Sequence, residues 1–292
     1  MVENRNVRNL RRVLWYLAGS LIAVCTVYPF LWMIATSFKE TVEIYARPLS
    51  LIPQTPTFQN YQNVMETVPF FLYFKNSFIL AATGVVTNVF FGALAGYGFA
   101  RLRFKGKKIL FSILLSSMMI PGIVTLVPQF VVLRKFPLFG GNNLFGQGGR
   151  GMINSFWAII LPGACGTYAV FFMKQFFETL PSELAEAGRI DGANEFRIFA
   201  QIYLPLIKPA AMTLGIMTFQ SGWNNFMWPL IVLNDSSKYT IQIGLSLFKT
   251  NYQTNYGAMM GGTVIATLPI LIMFIFAQRY FIEGIAFSGS KQ

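Results

Sequence analysis

Long runs of apolar residues without charge alternate with short polar segments along this 292-residue chain. A transmembrane helix needs about 20 consecutive, predominantly apolar residues, and each of these runs is longer than that. The segments between them leave no room for a sizeable soluble domain. The pattern therefore predicts an all-α polytopic membrane protein with six transmembrane helices. The predicted spans are Val13–Phe38, Asn76–Ala100, Ile109–Leu133, Gly151–Met173, Pro209–Asn234 and Thr250–Gln278.

The distribution of Lys and Arg residues orients the predicted helices. Six spans place both termini on one side of the membrane, and cytoplasmic loops carry the excess of basic residues. The two tails and the loops after spans two and four hold 15 of the 23 Lys and Arg residues. We therefore expect these parts in the cytoplasm. The predicted organisation is a basic N-terminal tail (residues 1–12), a transmembrane domain (13–279) and a cytoplasmic C-terminal tail (280–292).

A long polar segment, residues 180–209, joins spans four and five on the predicted cytoplasmic side. Ser182 can start a helix, and the carboxylate of Glu183 is favourable at the positive end of the helix dipole. Apolar residues then recur at helical spacing. We therefore expect a short amphipathic helix whose apolar face carries Leu184, Ala187 and Ile190.

A second helix is expected after a turn at Gly192. Glycine permits a sharp turn because it has no Cβ atom to clash with the backbone. Asn194 can cap the following helix, which should end near Pro205. The segment is thus predicted to form a helix–turn–helix outside the bilayer, with a compact knob at Gly192 that a partner protein could grip.

The spacing of residues in this segment resembles the EAA loop of the permease subunits of bacterial ABC importers. Glu186-Ala187-Gly188 is followed by Gly192, Ile202 and Leu204-Pro205, although the third motif position is usually Ala. Asp191-Gly192-Ala193 is similar to the subgroup of carbohydrate-uptake permeases of the maltose type. In that family the loop takes up force from a separate ATPase. The resemblance assigns coupling to Glu183, Glu186, Ala187, Gly188, Asp191, Gly192, Ala193, Leu204 and Pro205.

The same resemblance implies a set of partners in the bacterial cytoplasmic (inner) membrane. These are a second, homologous permease subunit, two ATPase subunits, an extracytoplasmic solute-binding protein, and a sugar or oligosaccharide substrate. We expect this chain to bind no cofactor, whereas the ATPases would use ATP and Mg²⁺. The sequence has no His and no Gly-x-x-x-x-Gly-Lys-Ser/Thr loop, so neither a catalytic residue nor a metal ligand is expected.

The distribution of charge bears on two other functional classes, secondary transporters and nucleic-acid-binding proteins. An ion-coupled secondary transporter or channel subunit is the alternative, but such carriers usually keep an ionisable residue within the membrane. None lies near the centre of any predicted span. The net charge of +12 comes mainly from short juxtamembrane clusters, which favour contact with anionic membrane lipid. We therefore expect no binding to nucleic acid.

Span five carries a group of aromatic and amide side chains. Aromatic rings stack on the apolar faces of sugars, and amides bond to sugar hydroxyls, so the group suits a sugar path. Alternatively, the Trp rings pack against other helices and the Asn pair bonds neighbouring helices together. The candidate residues of the substrate path are Trp223, Asn224, Asn225, Trp228 and, in span two, Asn88.

Prolines and glycines predict local interruptions. Pro121 and Pro128 should interrupt span three, and Pro229 frees a carbonyl and is expected to kink span five. The glycine-rich segment 137–151 is expected to be mobile and to face outward. It is either a plain connector or a contact for the solute-binding protein.

Overall fold

The computed structural model describes residues 5–249 and 254–289, with side chains from residue 11 to residue 278 outside the gap. The α-helices, in chain order, are α1 (Arg5–Ser37), α2 (Thr41–Ala46), α3 (Gln59–Thr67), α4 (Phe70–Arg101), α5 (Lys107–Ser117), α6 (Gly122–Arg134), α7 (Trp157–Gly163), α8 (Thr167–Thr179), α9 (Glu183–Ile190), α10 (Glu195–Arg197), α11 (Leu204–Leu206), α12 (Lys208–Trp223), α13 (Met227–Val232), α14 (Ile241–Ser246) and α15 (Tyr256–Gly289). A π-helical segment, Ile198–Tyr203, joins α10 to α11, and Ser236–Lys238 forms one 3₁₀ turn.

The predicted all-α membrane fold is confirmed. Within the described ranges the secondary structure is helical, apart from one isolated bridge between Lys249 and Thr254. In the part of the chain that the structure describes, four helical segments are long and apolar enough to cross a membrane, and the number rises to six if each of two bent helix pairs forms one span. The four segments are Arg11–Ser37, Phe70–Arg101, Trp157–Thr179 and Tyr256–Gln278, and the third of them consists of α7 and α8 with a short break between them.

Three of the predicted spans are broken in the structure. Helices α5 and α6 meet at an angle of 104°, and α6 starts directly after Pro121, which cannot donate a backbone hydrogen bond to a continuous helix. The interruption predicted at Pro121 is therefore confirmed, whereas Pro128 lies inside α6 and the interruption predicted there was wrong. In the predicted fourth span, α7 ends at Gly163 and α8 starts at Thr167. In the predicted fifth span, α12 ends at Trp223 and α13 starts at Met227, so the break precedes Pro229.

The ends of the chain differ from the predicted boundaries. The first helix already starts at Arg5, within the predicted tail. The last helix continues to Gly289, so most of the predicted C-terminal tail is helical. Residues 1–4 and 290–292 of the two tails, and residues 250–253 of the predicted sixth span, lie outside the described residues.

The chain divides into two compact units. The first comprises residues 1–70 and 245–268 and contains α1 to α3 with the N-terminal part of α15. Its centre is Asn60, whose Nδ2 donates to the backbone oxygens of Ser37 (3.0 Å) and Lys39 (2.7 Å). Gly257 packs against the same amide, since a Cβ atom there would lie 2.2 Å from Asn60 Oδ1. A buried asparagine thus connects the segment after α1 to α3 and α15.

The second unit comprises residues 71–244 and 269–292. Its larger core joins α4, α8, α9, the π segment and α12. Helices α4 and α8 approach closely because Gly92 and Gly96 lie one turn apart on the same face of α4. A Cβ atom at Gly92 would lie 2.8 Å from Ala169 Cβ, and one at Gly96 would lie 2.7 Å from Met173 Cβ. This small-xxx-small contact is a common device of membrane helices.

Asparagine side chains close the glycine-rich segment through hydrogen bonds with its backbone. Asn142 Nδ2 donates to the backbone oxygens of Arg134 and Phe136, and Asn142 Oδ1 accepts from Gly149 N. Asn143 Oδ1 accepts from two further backbone amides, those of Phe145 and Gln147. The glycines therefore serve tight turns closed by asparagine side chains, and Phe145 is 83% exposed at the tip.

Candidate functional site

Helix α9 places the EAA-like motif on the surface of the second unit. Glu183 lies in the first turn, as predicted, together with Glu186, and both are exposed. Ala185 and Gly188 form the buried face. A Cβ atom at Gly188 would lie 2.9 Å from Ile202 Cδ1 and 3.2 Å from Ile198 Cγ1. The absence of a side chain at Gly188 therefore allows α9 to lie against the π segment.

The turn after α9 has the geometry that the sequence predicted. Gly192 has a φ of +78°, and no heavy atom would lie within 4 Å of a Cβ atom built on it. This left-handed conformation is accessible to glycine and unfavourable for β-branched residues. Asn194 Oδ1 accepts a hydrogen bond from Arg197 N at 2.8 Å and so caps α10. Asp191 and Gly192 are exposed, and Ala193 is half-buried.

Two large apolar side chains flank this turn on the outside. Ile190 is 86% exposed and Phe196 is 67% exposed. Of the predicted apolar face of α9, Leu184 is half-buried, whereas Ala187 and Ile190 are exposed. The knob formed by residues 186–196 therefore presents an apolar rim next to exposed carboxylates, a composition suited to a protein partner.

The second helix of the segment is less regular than predicted. A single turn of α-helix, α10, leads into the six-residue π segment and then into α11. The helix from Glu195 to Leu206 then bends by 78° into α12. Leu204 and Pro205 lie immediately before this bend, and both are exposed. Isolated π turns inside helices occur frequently at functional sites.

A hydrogen-bond network ties the knob to α4. Arg189 Nε donates to Glu195 Oε1 at 2.7 Å, and the hydroxyl of Tyr97, in α4, donates to Glu195 Oε2 at 2.9 Å. The hydrogen bond from Arg189 is the main cause that lowers the pKa of Glu195 below its ordinary value, against partial burial, which raises it. Glu195 is therefore a carboxylate at neutral pH and can accept both bonds.

Arg101, at the end of α4, forms a second link. Its guanidinium donates to the backbone oxygens of Phe177 and Leu180, which end α8, and lies 5.1 Å from the ring centroid of Tyr203. The hydroxyl of Tyr203 in turn donates to the backbone oxygen of Pro181 at 3.0 Å. A cavity of about 770 Å³ is lined by α9 and by the segment that follows Arg101.

A cavity of about 530 Å³, the Asn88 cavity, is lined by α4, α12 and the segment around α7 and α8; its wall is mostly apolar, with a few polar side chains. Asn88 and Asn225 both line it, together with Tyr168, Thr218 and Ser221. Asn88 also bonds helices to each other: its Nδ2 donates to Thr218 Oγ1 at 3.1 Å, and its Oδ1 accepts from Gly166 N at 2.8 Å. Asn88 thus bonds helices together, a role that the sequence analysis considered only for the pair Asn224 and Asn225.

The other candidates of the predicted substrate path lie elsewhere. Trp223 is 1% exposed, with its ring stacked on Phe219 and in edge contact with Phe74. The indole nitrogen of Trp228 donates to the backbone oxygen of Ala158 at 2.9 Å. Both rings thus have the packing role that was the alternative interpretation. Asn224 is exposed, and its Oδ1 accepts from Gln242 Nε2 at 3.3 Å.

Sequence reasoning missed several residues of this site. From the sequence, Arg101 is only a basic residue at the end of span two. An arginine at the end of a span can, however, also bind the free carbonyls of a neighbouring helix. The Gly92-x-x-x-Gly96 spacing was a readable signal of close helix packing. The pairing of Tyr97 with Glu195 had no local signal, because the two residues are separated by almost a hundred positions.

Comparison with known proteins identifies the family of this chain. Residues 88–285 match the family described as binding-protein-dependent transport system inner membrane component. The arabinooligosaccharides transport system permease protein AraQ of Halalkalibacterium halodurans is 36% identical over 275 residues, covering 93% of this chain and 94% of that protein. The lactose transport system permease protein LacG of Rhizobium radiobacter is 31% identical over 277 residues, covering 95% and 96%.

A solved structure shares the fold. It is a bacterial ABC transporter involved in the import of the acidic polysaccharide alginate, with a TM-score of 0.81 and 22% sequence identity. The alignment covers 96% of this chain and 99% of that one. The chain therefore belongs to the family of binding-protein-dependent transport system inner membrane components and is a membrane-spanning permease subunit of an ABC importer.

Proposed function

We propose that this permease forms half of a path that carries a sugar or oligosaccharide across the bacterial cytoplasmic membrane. A second permease subunit would complete the path, and a solute-binding protein would deliver the sugar from outside. Two ATPase subunits would bind ATP and Mg²⁺ and grip the knob formed by residues 186–196. Arabinooligosaccharides and lactose, the substrates in the names of two relatives, are the first sugars to test.

One observation supports the proposal most directly: the helices that contact the knob also line the Asn88 cavity. Helix α4 contributes Tyr97 to the core beneath the knob and Asn88 to the cavity. Helix α12 contributes Ala210 to that core and Ser221 to the cavity. A displacement of the knob by the ATPases would therefore move the walls of the cavity directly. Such coupling needs two arrangements of packed elements, between which ATP binding shifts the population.

The knob supplies the contacts that an ATPase groove would use. Ile190 and Phe196 offer apolar area, and Glu186 and Asp191 offer carboxylates for basic residues of the partner. The Tyr97–Glu195–Arg189 network would keep the knob from moving independently of α4. ATP-driven closure of the two ATPases would then be transmitted through α9 and the π segment to α4 and α12.

The proposal is tested by reconstituting the complete importer in liposomes with radiolabelled arabinotriose or lactose. We expect accumulation of at least one of the two sugars, dependent on ATP at the ATPase side and on the binding protein. Accumulation driven by an ion gradient without ATP would contradict the mechanism. ATP-dependent complexes that accumulate neither sugar would contradict the proposed substrate class.

The two adjacent asparagines of the fifth predicted span provide a matched pair for the same assay. Asn225 lines the cavity and Asn224 bonds to Gln242 instead, so Asn225→Ala should reduce uptake at least several-fold while Asn224→Ala stays close to wild type. Loss of one sugar hydrogen bond to a buried amide costs about 1–3 kcal/mol. Equal uptake by the two variants, with unchanged melting temperatures, would remove Asn225 from the sugar path.

The proposed orientation of the chain is tested by cysteine labelling in intact cells. A cysteine at Gln147 should react with a membrane-impermeant thiol reagent, since this segment is expected outside the cell. A cysteine at Glu186 should react only after the cells are opened. Both positions are exposed, so accessibility within the protein does not limit the reaction. The reverse pattern would overturn the orientation derived from the Lys and Arg residues.

A further inference from the structure

We infer that a cleft in the first unit binds one uncharged sugar ring of the transported carbohydrate; this rests on the proposed function. The cleft has a volume of about 320 Å³, and its lining includes Thr41, Tyr45, Thr67, Phe248, Thr254 and Asn255. We call it the Tyr45 cleft. It belongs to segments expected on the outer side of the membrane and shares no lining residue with the Asn88 cavity.

The helix that carries Tyr45 is fixed by buried charges. Helix α2 has only six residues, too few to be stable on its own. Lys39 is fully buried, and its Nζ donates to the backbone oxygens of Ser50 (2.6 Å) and Arg47 (3.2 Å). The carboxylate of Glu43, 8% exposed, accepts from Gln54 N with both oxygens. Burying charged groups is costly unless they are hydrogen-bonded, and here the bonds hold α2 and the following segment in one conformation.

The ring of Tyr45 is held in place yet remains accessible. Its hydroxyl donates to the backbone oxygen of Thr254 at 3.3 Å, and its ring makes an edge contact with Tyr256 at a centroid distance of 6.1 Å. Tyr45 is nevertheless 59% exposed. A fixed, exposed aromatic face loses little conformational entropy when a ligand stacks on it. The aliphatic C–H face of a sugar ring is electropositive and complements the negative face of an aromatic ring.

Polar groups of the lining match the rest of a sugar ring. Thr41 and Thr67 carry hydroxyls, and Asn255 carries an amide that is oriented by accepting a hydrogen bond from Ala258 N at 3.0 Å. None of the described lining side chains is charged. A tyrosine that only anchors the chain at the membrane interface would not need this surrounding set of hydroxyl and amide groups. The chemistry therefore favours a neutral glycosyl unit over an acidic one.

The inference is tested by saturation-transfer NMR on the complete importer in nanodiscs, without the binding protein, with arabinotriose or lactose as the probe. Tyr45→Phe keeps the aromatic face and should retain the signal. Tyr45→Leu keeps apolar volume but not the flat face, and the Kd obtained by titrating the signal should rise about tenfold for this cleft, the factor that corresponds to ~1.4 kcal/mol of binding. Val42→Ala, an exposed position on the same helix that does not line the cleft, serves as the control and should resemble wild type.

A second variant tests the same cleft in case Tyr45→Leu loses its signal only because it folds poorly. Thr67→Val keeps the shape of the side chain and removes its hydroxyl, so it should weaken the signal without lowering the melting temperature of the complex. Wild-type signals in both Tyr45→Leu and Thr67→Val would overturn the inference, as would an equally strong, Tyr45-dependent signal from an acidic alginate trisaccharide. If the cleft variants bind the probe like wild type while ATP-dependent uptake succeeds, only the sugar site in the Tyr45 cleft is refuted, and the proposed function is retained.

Discussion

Replacing Gly192 by valine is expected to abolish sugar-stimulated ATP hydrolysis by the assembled importer. Gly192 has a φ of +78°, and a β-branched residue held in that region is strained by about 1–3 kcal/mol. The turn would relieve this strain by changing its backbone conformation, which would displace Ile190 and Phe196 from the surface offered to the ATPase. The measurement is ATP hydrolysis by the purified complex with the loaded binding protein, alongside co-purification of the ATPase subunits.

Gly106 provides a control for backbone strain alone. It has a φ of +81° and equally open surroundings, but it precedes α5 and is not part of the knob. Gly106→Val should therefore retain stimulated hydrolysis. Gly192→Asn should retain most of the activity as well, because asparagine tolerates the left-handed region. Coupled hydrolysis at the wild-type rate in Gly192→Val would refute the proposal that this turn is the mechanical contact.

Replacing Gly96 by valine is expected to destabilise the permease by about 3 kcal/mol through overpacking against α8. The new side chain would begin 2.7 Å from Met173 Cβ and 2.9 Å from the backbone nitrogen of Lys174. A backbone atom cannot move aside without shifting α8, which carries part of the core beneath the knob. The melting temperature of the purified permease and its yield with the ATPase subunits measure the effect.

Gly98 lies two residues further along α4, where a Cβ atom would meet no heavy atom within 4 Å. Gly98→Val should therefore change the melting temperature little. Similar melting temperatures for the Gly96 and Gly98 variants would mean that α4 and α8 do not depend on this close contact. The comparison separates helix packing from the general effect of replacing glycine within a membrane helix.

The features predicted correctly from the sequence have local physical causes. The Gly192 turn and the Asn194 cap depend on residues close together in the chain, and both have the expected geometry. The break at Pro121 follows from a missing backbone donor. Apolar run length was sufficient to predict the membrane class, since crossing a bilayer requires length and apolarity alone.

The errors arise where a pattern has more than one physical meaning. Apolar spacing placed Ile190 on the apolar face of α9 but could not show whether that face contacts the core or is exposed to a protein partner. The buried position is Gly188, since the π segment places Ile198 and Ile202 against it, and a π segment cannot be read from periodicity. The indole ring of Trp223 is chemically suited to stacking on a sugar, but the ring is buried. Its burial depends on which helices surround it, and the sequence does not show this.

The folded glycine-rich segment has a practical consequence for imaging and labelling this importer. Its backbone is closed by asparagine side chains, and the tip at Leu144 and Phe145 projects with exposed fractions of 70% and 83%. An antibody fragment raised against that tip would bind a single conformation rather than an ensemble. It would therefore add a rigid fiducial mass to a small membrane complex, which is what particle alignment in electron cryomicroscopy requires.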